Sequence, residues 1–230
     1  MLSRLALALG IASVAACATA GPGQDQPTDA PPPQGSDSAP PIDAPPPPPQ
    51  IDASCAPIEM ELLNNGNFDT SPPGTGWTEV PIVAGDQLVT AGSDAGLTAD
   101  TAPDVAWMGG YERSGGNTDA LYQDVTIPAG ATTLVLAGNY RVASLELGGS
   151  FDVATVQLAS TSNTSLESAL DIDNSDVTDA WTPFSKTFST THAGETVRVR
   201  LTTTGDESYR TAFFFDSLSL AATITPQGCP

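Results

Sequence analysis

Residues 18–54 cannot join a folded core. Proline comes in runs there, Pro31–Pro33, Pro40-Pro41 and Pro45–Pro49, and each proline fixes its own φ and removes a backbone donor. A degenerate unit recurs as Thr28-Asp29-Ala30-Pro31, Ile42-Asp43-Ala44-Pro45 and Ile51-Asp52-Ala53. Such a stretch favours polyproline II, which has no internal hydrogen bonds. At about 3.1 Å per residue it reaches up to roughly 100 Å, less the bends that Gly21, Gly23 and Gly35 introduce. The folded part of the chain must therefore begin near Cys55, behind a disordered proline-rich linker.

From Cys55 onward the pattern changes. Aromatic, β-branched and leucine residues come in short alternating runs separated by Gly, Pro, Asn and Asp, the pattern of an all-β sandwich. The expected strands are 58–63, 77–83, 86–90, 104–110, 119–127, 132–143, 151–159, 181–190, 195–203 and 211–221. Val197, Val199 and Leu201 alternate with Arg198, Arg200 and Thr202, giving one buried and one wet face. Leu134, Leu136, Gly138 and Tyr140 share a side. Strict alternation in 211–221 puts Phe214, Asp216, Leu218 and Leu220 on one side and Phe213 and Phe215 on the other. No stretch has the period of an amphipathic helix. About 175 residues in some eight to ten antiparallel strands make one domain, residues 55–230, with length enough for a core.

Ahead of the linker, Arg4 precedes an apolar run from Leu5 to Val14, and Val14-Ala15-Ala16-Cys17 closes it. This is the plan of an exported leader, residues 1–16, too short to span a bilayer. Val-Ala-Ala-Cys resembles the lipobox of bacterial lipoproteins, which implies a lipidated Cys17 as the mature N-terminus, followed by the linker 17–54. A plain secretory signal or an uncleaved anchor is the alternative. The resemblance implies more than one acyl chain, and stable anchoring takes more than one. It places the protein in the bacterial cell envelope, at the outer membrane or cell surface, touching the membrane through lipid only. The linker then reads as a stalk; a proline tract can serve as an SH3-type ligand, but no such reader is expected outside a bacterial cell.

The chain carries 27 acidic and seven basic residues, a formal charge of −20. It repels nucleic-acid phosphates and anionic headgroups, so nucleic acid is excluded as a partner. Negative charge keeps an exported protein soluble, and it also suits calcium, which prefers oxygen ligands. With Cys17 lipidated, Cys55 and Cys229 remain as an even pair in an oxidising compartment. They are either a disulfide closing the whole domain or two free thiols.

Leu62-Leu63-Asn64-Asn65-Gly66-Asn67-Phe68-Asp69, then Gly76-Trp77, resembles the opening of galactose-binding-like jelly rolls, which include several carbohydrate-binding modules. Phe213 to Leu220 resembles their closing strand, with Ser217 where a second aspartate is common. Ala106-Trp107-Met108-Gly109-Gly110, Leu121 to Gly130, Trp181 to Phe188 and Ala193 to Val197 resemble, in order, segments of domains appended to secreted peptidases and glycosidases. The resemblance covers residues 59–221. It implies a jelly-roll sandwich whose first and last strands are neighbours, and thereby supports a Cys55–Cys229 bond. It also implies a structural calcium held by Asp69 and Asp216; the plainer reading is a surface turn at Asp69 and a hydrogen-bonded Asp216.

Three further groups bear on function. Asp171, Asp173, Asp176 and Asp179 begin like a calcium loop, but the sixth and twelfth places of an EF-hand hold Asp176 and Thr182, so a solvated loop before Trp181 is expected. Tyr111, Arg113, Tyr122 and Tyr140 could together line a sugar-binding face; Trp77, Trp107 and Trp181 read as core anchors. His192, the one histidine, lies in a turn, and no nucleophile elbow or zinc pattern accompanies it. The expectation is a monomeric, non-catalytic surface lipoprotein that binds glycan or another extracellular ligand. A structural or adhesive envelope protein making protein contacts is the alternative, and a hydrolase working with two carboxylates is a third reading.

Overall fold

The computed structural model describes residues 55–110, 117–206 and 208–226. Its elements are β1 (Ile58–Glu61), β2 (Thr78–Val80), β3 (Val89–Ala91), β4 (Asp104–Gly109), β5 (Asn117–Thr126), β6 (Ala131–Ser144), β7 (Val153–Ala159), β8 (Ser165–Asp173), β9 (Thr182–Thr187), β10 (Thr196–Gly205) and β11 (Thr211–Ile224). The chain is an all-β jelly-roll sandwich of two antiparallel sheets. One runs β3-β4-β11-β6-β9 with β1 also on β11; the other runs β2-β5-β10-β7-β8. The expected adjacency of first and last strands is there, with Ile58 opposite Ile224 and Glu61 opposite Ala221.

Alternating hydrophobicity sets the core. Val197, Val199 and Leu201 of β10 are buried beside Leu121 and Val125 of β5 and Val156 and Leu158 of β7. The facing sheet supplies Met108, Leu134, Leu136, Val142, Phe213 and Phe215. The loop after β1 plugs one end with Phe68, whose ring lies 5.2 Å from that of Trp77. Trp77 is the core anchor the sequence suggested, and its indole N–H donates to the Asn65 carbonyl at 2.9 Å.

Strict alternation fails at one place in β11. The register shifts between Asp216 and Ser219, and Ser217 takes φ 54°. This bulge inserts a residue and resets the pleat. Phe213 and Phe215 face the core before it, and Leu218 and Leu220 face the same core after it. Phe214 and Asp216 are thereby left on the outer side of the sheet.

One strand was not expected. β8 lies where the acidic loop was anticipated, and Asp171 and Asp173 sit on it opposite Thr155 and Val153. Its Ser, Glu and Asp content is low in strand propensity, but it is an edge strand with only one of its nine residues buried. Asp171 accepts from the hydroxyls of Thr155 and Ser168 at 3.1 and 2.7 Å. Asp171 is thus satisfied along the strand, whereas Asp173 accepts from the Ser175 amide at 2.7 Å in the turn that follows, and Asp176 and Asp179 lie in the expected loop before Trp181.

Candidate functional site

Asp69 and Asp216 act on the same stretch of chain. Asp216 is fully buried. Its Oδ2 accepts from the Thr101 amide at 2.8 Å, and its Oδ1 accepts from the Thr101 hydroxyl at 2.9 Å and the Ser217 amide at 2.6 Å. Asp69 Oδ1 accepts from the Asp104 amide at 3.0 Å, and its Oδ2 from the Asn67 side chain at 2.8 Å. Two carboxylates far apart in sequence thus clamp the segment 101–104. Burial pushes the Asp216 carboxyl up to about 6, against the donors that lower it, with Asp100 adding a smaller upward push. Burial likewise raises Asp104, and the charge of Asp69 adds to it. No basic side chain pairs with Asp216 among the described residues. Each of the four carboxylate oxygens of Asp69 and Asp216 already accepts from an N–H or O–H of the protein.

Of the four residues proposed for a sugar-binding face, the two that are described do not share a surface. Tyr111 and Arg113 lie outside the described residues. Tyr122 is on β5, opposite Arg200, on the outer face of the five-stranded sheet. Tyr140 is on β6 of the other sheet and packs against the core. Tyr122 is also already engaged. The Arg198 guanidinium sits 3.6 Å from its ring centroid and forks onto Asp124 at 2.7 and 2.9 Å, with Asn163 taking a third donor at 2.7 Å.

Trp107 departs from the core-anchor expectation. It sits on β4 opposite Phe214 of β11, on the outer side of the sheet, with ring centroids 6.1 Å apart. It walls a hollow of about 370 Å³ lined also by Ala143, Leu145, Ala212, Phe214 and, at the polar edge, Ser144 and Arg210. A second hollow of about 340 Å³ shares Trp107, Gly110 and Arg210 and adds Asp86 and Gln87. The Trp107 Nε1 is buried and has no acceptor among the described residues. Gly110, at φ 82°, faces it; a Cβ there would stand 3.4 Å from Nε1. Sequence reasoning did not assemble this place, because Trp107 and Arg210 are brought together only by the pairing of β4 with β11. The paired glycines after Trp107 are the one local signal. Trp181 is half-buried and donates to the Thr98 carbonyl at 2.9 Å.

Glu146, Asp152 and Asp206 bring carboxylate oxygens within 4.8 Å of one another. Burial raises Glu146, and Asp206 and Asp152 raise it further. Asp152 is tied down by the Asp206 amide at 2.9 Å. His192 is bonded to Glu195 at 2.9 Å within its turn.

No family model matches the chain, and neither does any curated protein. Several solved carbohydrate-binding modules resemble it in structure. TmCBM61, solved with β-1,4-galactotriose, is 13% identical over 70% of this chain and 97% of its own, with a TM-score of 0.49. The mannan-recognising TmCBM27 is 10% identical over 73% and 98%, with a TM-score of 0.43. The xylan-binding module CBM15 is 12% identical over 74% and 97%, with a TM-score of 0.39. The likeness goes no further than the fold.

Proposed function

We propose that this chain is a non-catalytic, lipid-anchored envelope protein whose sandwich holds a glycan against Trp107. The hollow beside that ring carries the reading. Its wall of Trp107, Phe214, Ala212 and Leu145 offers apolar surface, and Ser144 and Arg210 stand at its edge. A pyranose has an apolar face and a polar rim, and a pocket of a few hundred Å³ with few convergent polar groups is the usual form of a small-ligand site. Trp107→Ala is expected to lower glycan affinity at least ~10-fold, the effect of removing a central aromatic anchor, with the melting temperature recorded alongside. Retention of full affinity by the folded variant would move the ligand elsewhere.

The anchor at Cys17 and the stalk to residue 54 complete the proposal; both lie outside the described residues. Cys229 does as well. Cys55 is not a free thiol, and the pairing of Ile58 with Ile224 runs the two ends of the domain side by side, which supports a Cys55–Cys229 disulfide. Calcium at Asp69 and Asp216 belongs to the same proposal, on the ground that both carboxylates close on residues 101–104 with no basic partner for Asp216. Chelation is expected to lower the melting temperature by several degrees; an unchanged melting curve removes calcium from the account.

The protein-contact alternative has its own observation. Leu147 is 87% exposed, and Leu145, Phe151, Val177 and Tyr209 are exposed with it. The loops that carry them meet at one end of the sandwich, where the Leu145 amide bonds to the Arg210 carbonyl and the Thr178 amide to the Val142 carbonyl. A glycan array with no retained sugar, with or without calcium, together with a stable protein partner in pull-downs, would favour that reading.

A further inference from the structure

The hollow beside Trp107 has no acid in its wall among the described residues, although Asp86 lines the adjoining hollow that shares Trp107, Gly110 and Arg210. Acidic residues outnumber basic ones 27 to seven, yet among the described residues no carboxylate lines the hollow beside Trp107, while one of the seven cations, Arg210, does. Arg210 is exposed, and no ion pair engages it among the described residues. A guanidinium presents a planar fork of donors that matches a carboxylate in two parallel hydrogen bonds. Arg210 thus offers an exposed fork with no ion pair among the described residues at an otherwise apolar hollow, with Asp86 in the wall of the neighbouring one.

One donor in this wall is unmatched among the described residues. The Trp107 indole N–H is buried with no partner among the described residues, and a buried donor left unmatched is unfavourable. Gly110 bears no side chain at the point where a Cβ would approach Nε1 to 3.4 Å and the Ala212 Cβ to 3.7 Å. The absence of that atom leaves room for a ligand acceptor to approach the indole. The rest of the wall, Phe214, Ala143, Ala212 and Leu145, is apolar. A ligand that fits must offer an apolar face to the ring and an anionic, acceptor-rich group to the edge.

We propose that this hollow takes a carboxylate-bearing sugar, a uronate residue, with Arg210 holding the carboxylate and Trp107 facing the sugar ring. This rests on the glycan reading above and narrows it. The charge of the whole domain opposes long acidic polymers, so a short oligomer presenting one uronate at a time is the better match.

The test titrates the protein with short oligogalacturonates and with the same oligomers methyl-esterified, followed by calorimetry and tryptophan fluorescence. The acid form is expected to bind at least ~10-fold tighter than the ester, a charge-assisted pair being worth over ~1.4 kcal/mol. Arg210→Gln is expected to abolish that preference and Arg210→Lys to restore part of it; Arg210 is exposed, so both variants should melt as the parent does. Equal binding of acid and ester, or a preference that survives Arg210→Gln, overturns the uronate assignment and leaves the glycan reading standing. Failure of the parent protein to bind either form or any neutral glycan overturns both.

Discussion

Gly66→Ala is expected to cost the domain about 3 kcal/mol or more, the upper range for forcing an atom into a packed interior. A Cβ at residue 66 would stand 1.9 Å from the Leu218 carbonyl oxygen and 2.9 Å from its carbon. Both are backbone atoms of the last strand, and the Leu218 amide already donates to the Gly66 carbonyl at 2.8 Å. Neither chain can yield without breaking the bulge that sets the core parity of β11. Gly85→Ala is the control: nothing lies within 4 Å of its Cβ, although φ is 95°, so only the positive-φ strain of about 1–2 kcal/mol applies. Urea melts of the two variants separate steric conflict from backbone strain. Similar losses at the two sites would refute the close approach.

Asp216→Ala is the second large effect, expected at about 2–4 kcal/mol. It strands the Thr101 and Ser217 amides in a part-buried setting and leaves the Thr101 hydroxyl only the Asn67 carbonyl at 3.5 Å, and an unpaired buried donor costs roughly 1–3 kcal/mol. The loss should depend on pH. Folding raises the Asp216 carboxyl from its ordinary 3.8 to about 6. Between those values the folded protein holds a proton that the unfolded chain has released, so this group adds stability as pH falls from above 6 towards 4 and loses it again as pH rises. In the presence of chelator, the gap between parent and Asp216→Ala should be wider at pH 5 than at pH 7.5. A gap that does not change, or that widens upward, would mean the carboxyl is not raised in the folded state.

Asp216 also shows how far local pattern carries. Phe213 to Leu220 was legible as a strand, and its aspartate as a buried carboxylate in need of partners. The faces were not legible, because Ser217 at φ 54° inserts one residue and turns every later side chain over. The partners were not legible either: Thr101 is 115 residues away and meets Asp216 through a loop with no periodicity. β8 escaped for a related reason. An edge strand is held by its neighbour's ladder, so it can carry Ser, Glu and Asp that no propensity scale would place in a sheet.

The candidate site divides along the same line. Tyr122 and Tyr140 were recognisable as aromatic side chains in polar surroundings, yet sheet order decided that one faces Arg198 on the outer side and the other packs on the core of the opposite sheet. Trp107 looked like a core residue because its strand is apolar on both sides. Only its pairing with Phe214 shows that it faces outward, with Arg210 beside it.

Local sequence was enough for the all-β class, for the alternation of most strands and, through the jelly-roll resemblance, for the adjacency of first and last strands. The first two are properties of neighbours along the chain, where two-residue alternation acts directly, while the third came from the resemblance and not from any local run. Tertiary structure alone decided which faces point outward, where the bulge resets them, and that a tryptophan, an arginine and a glycine from positions 107, 210 and 110 share one hollow. Those depend on which strands pair and in what register, and register is fixed by the packing of the whole core rather than by any local run of residues.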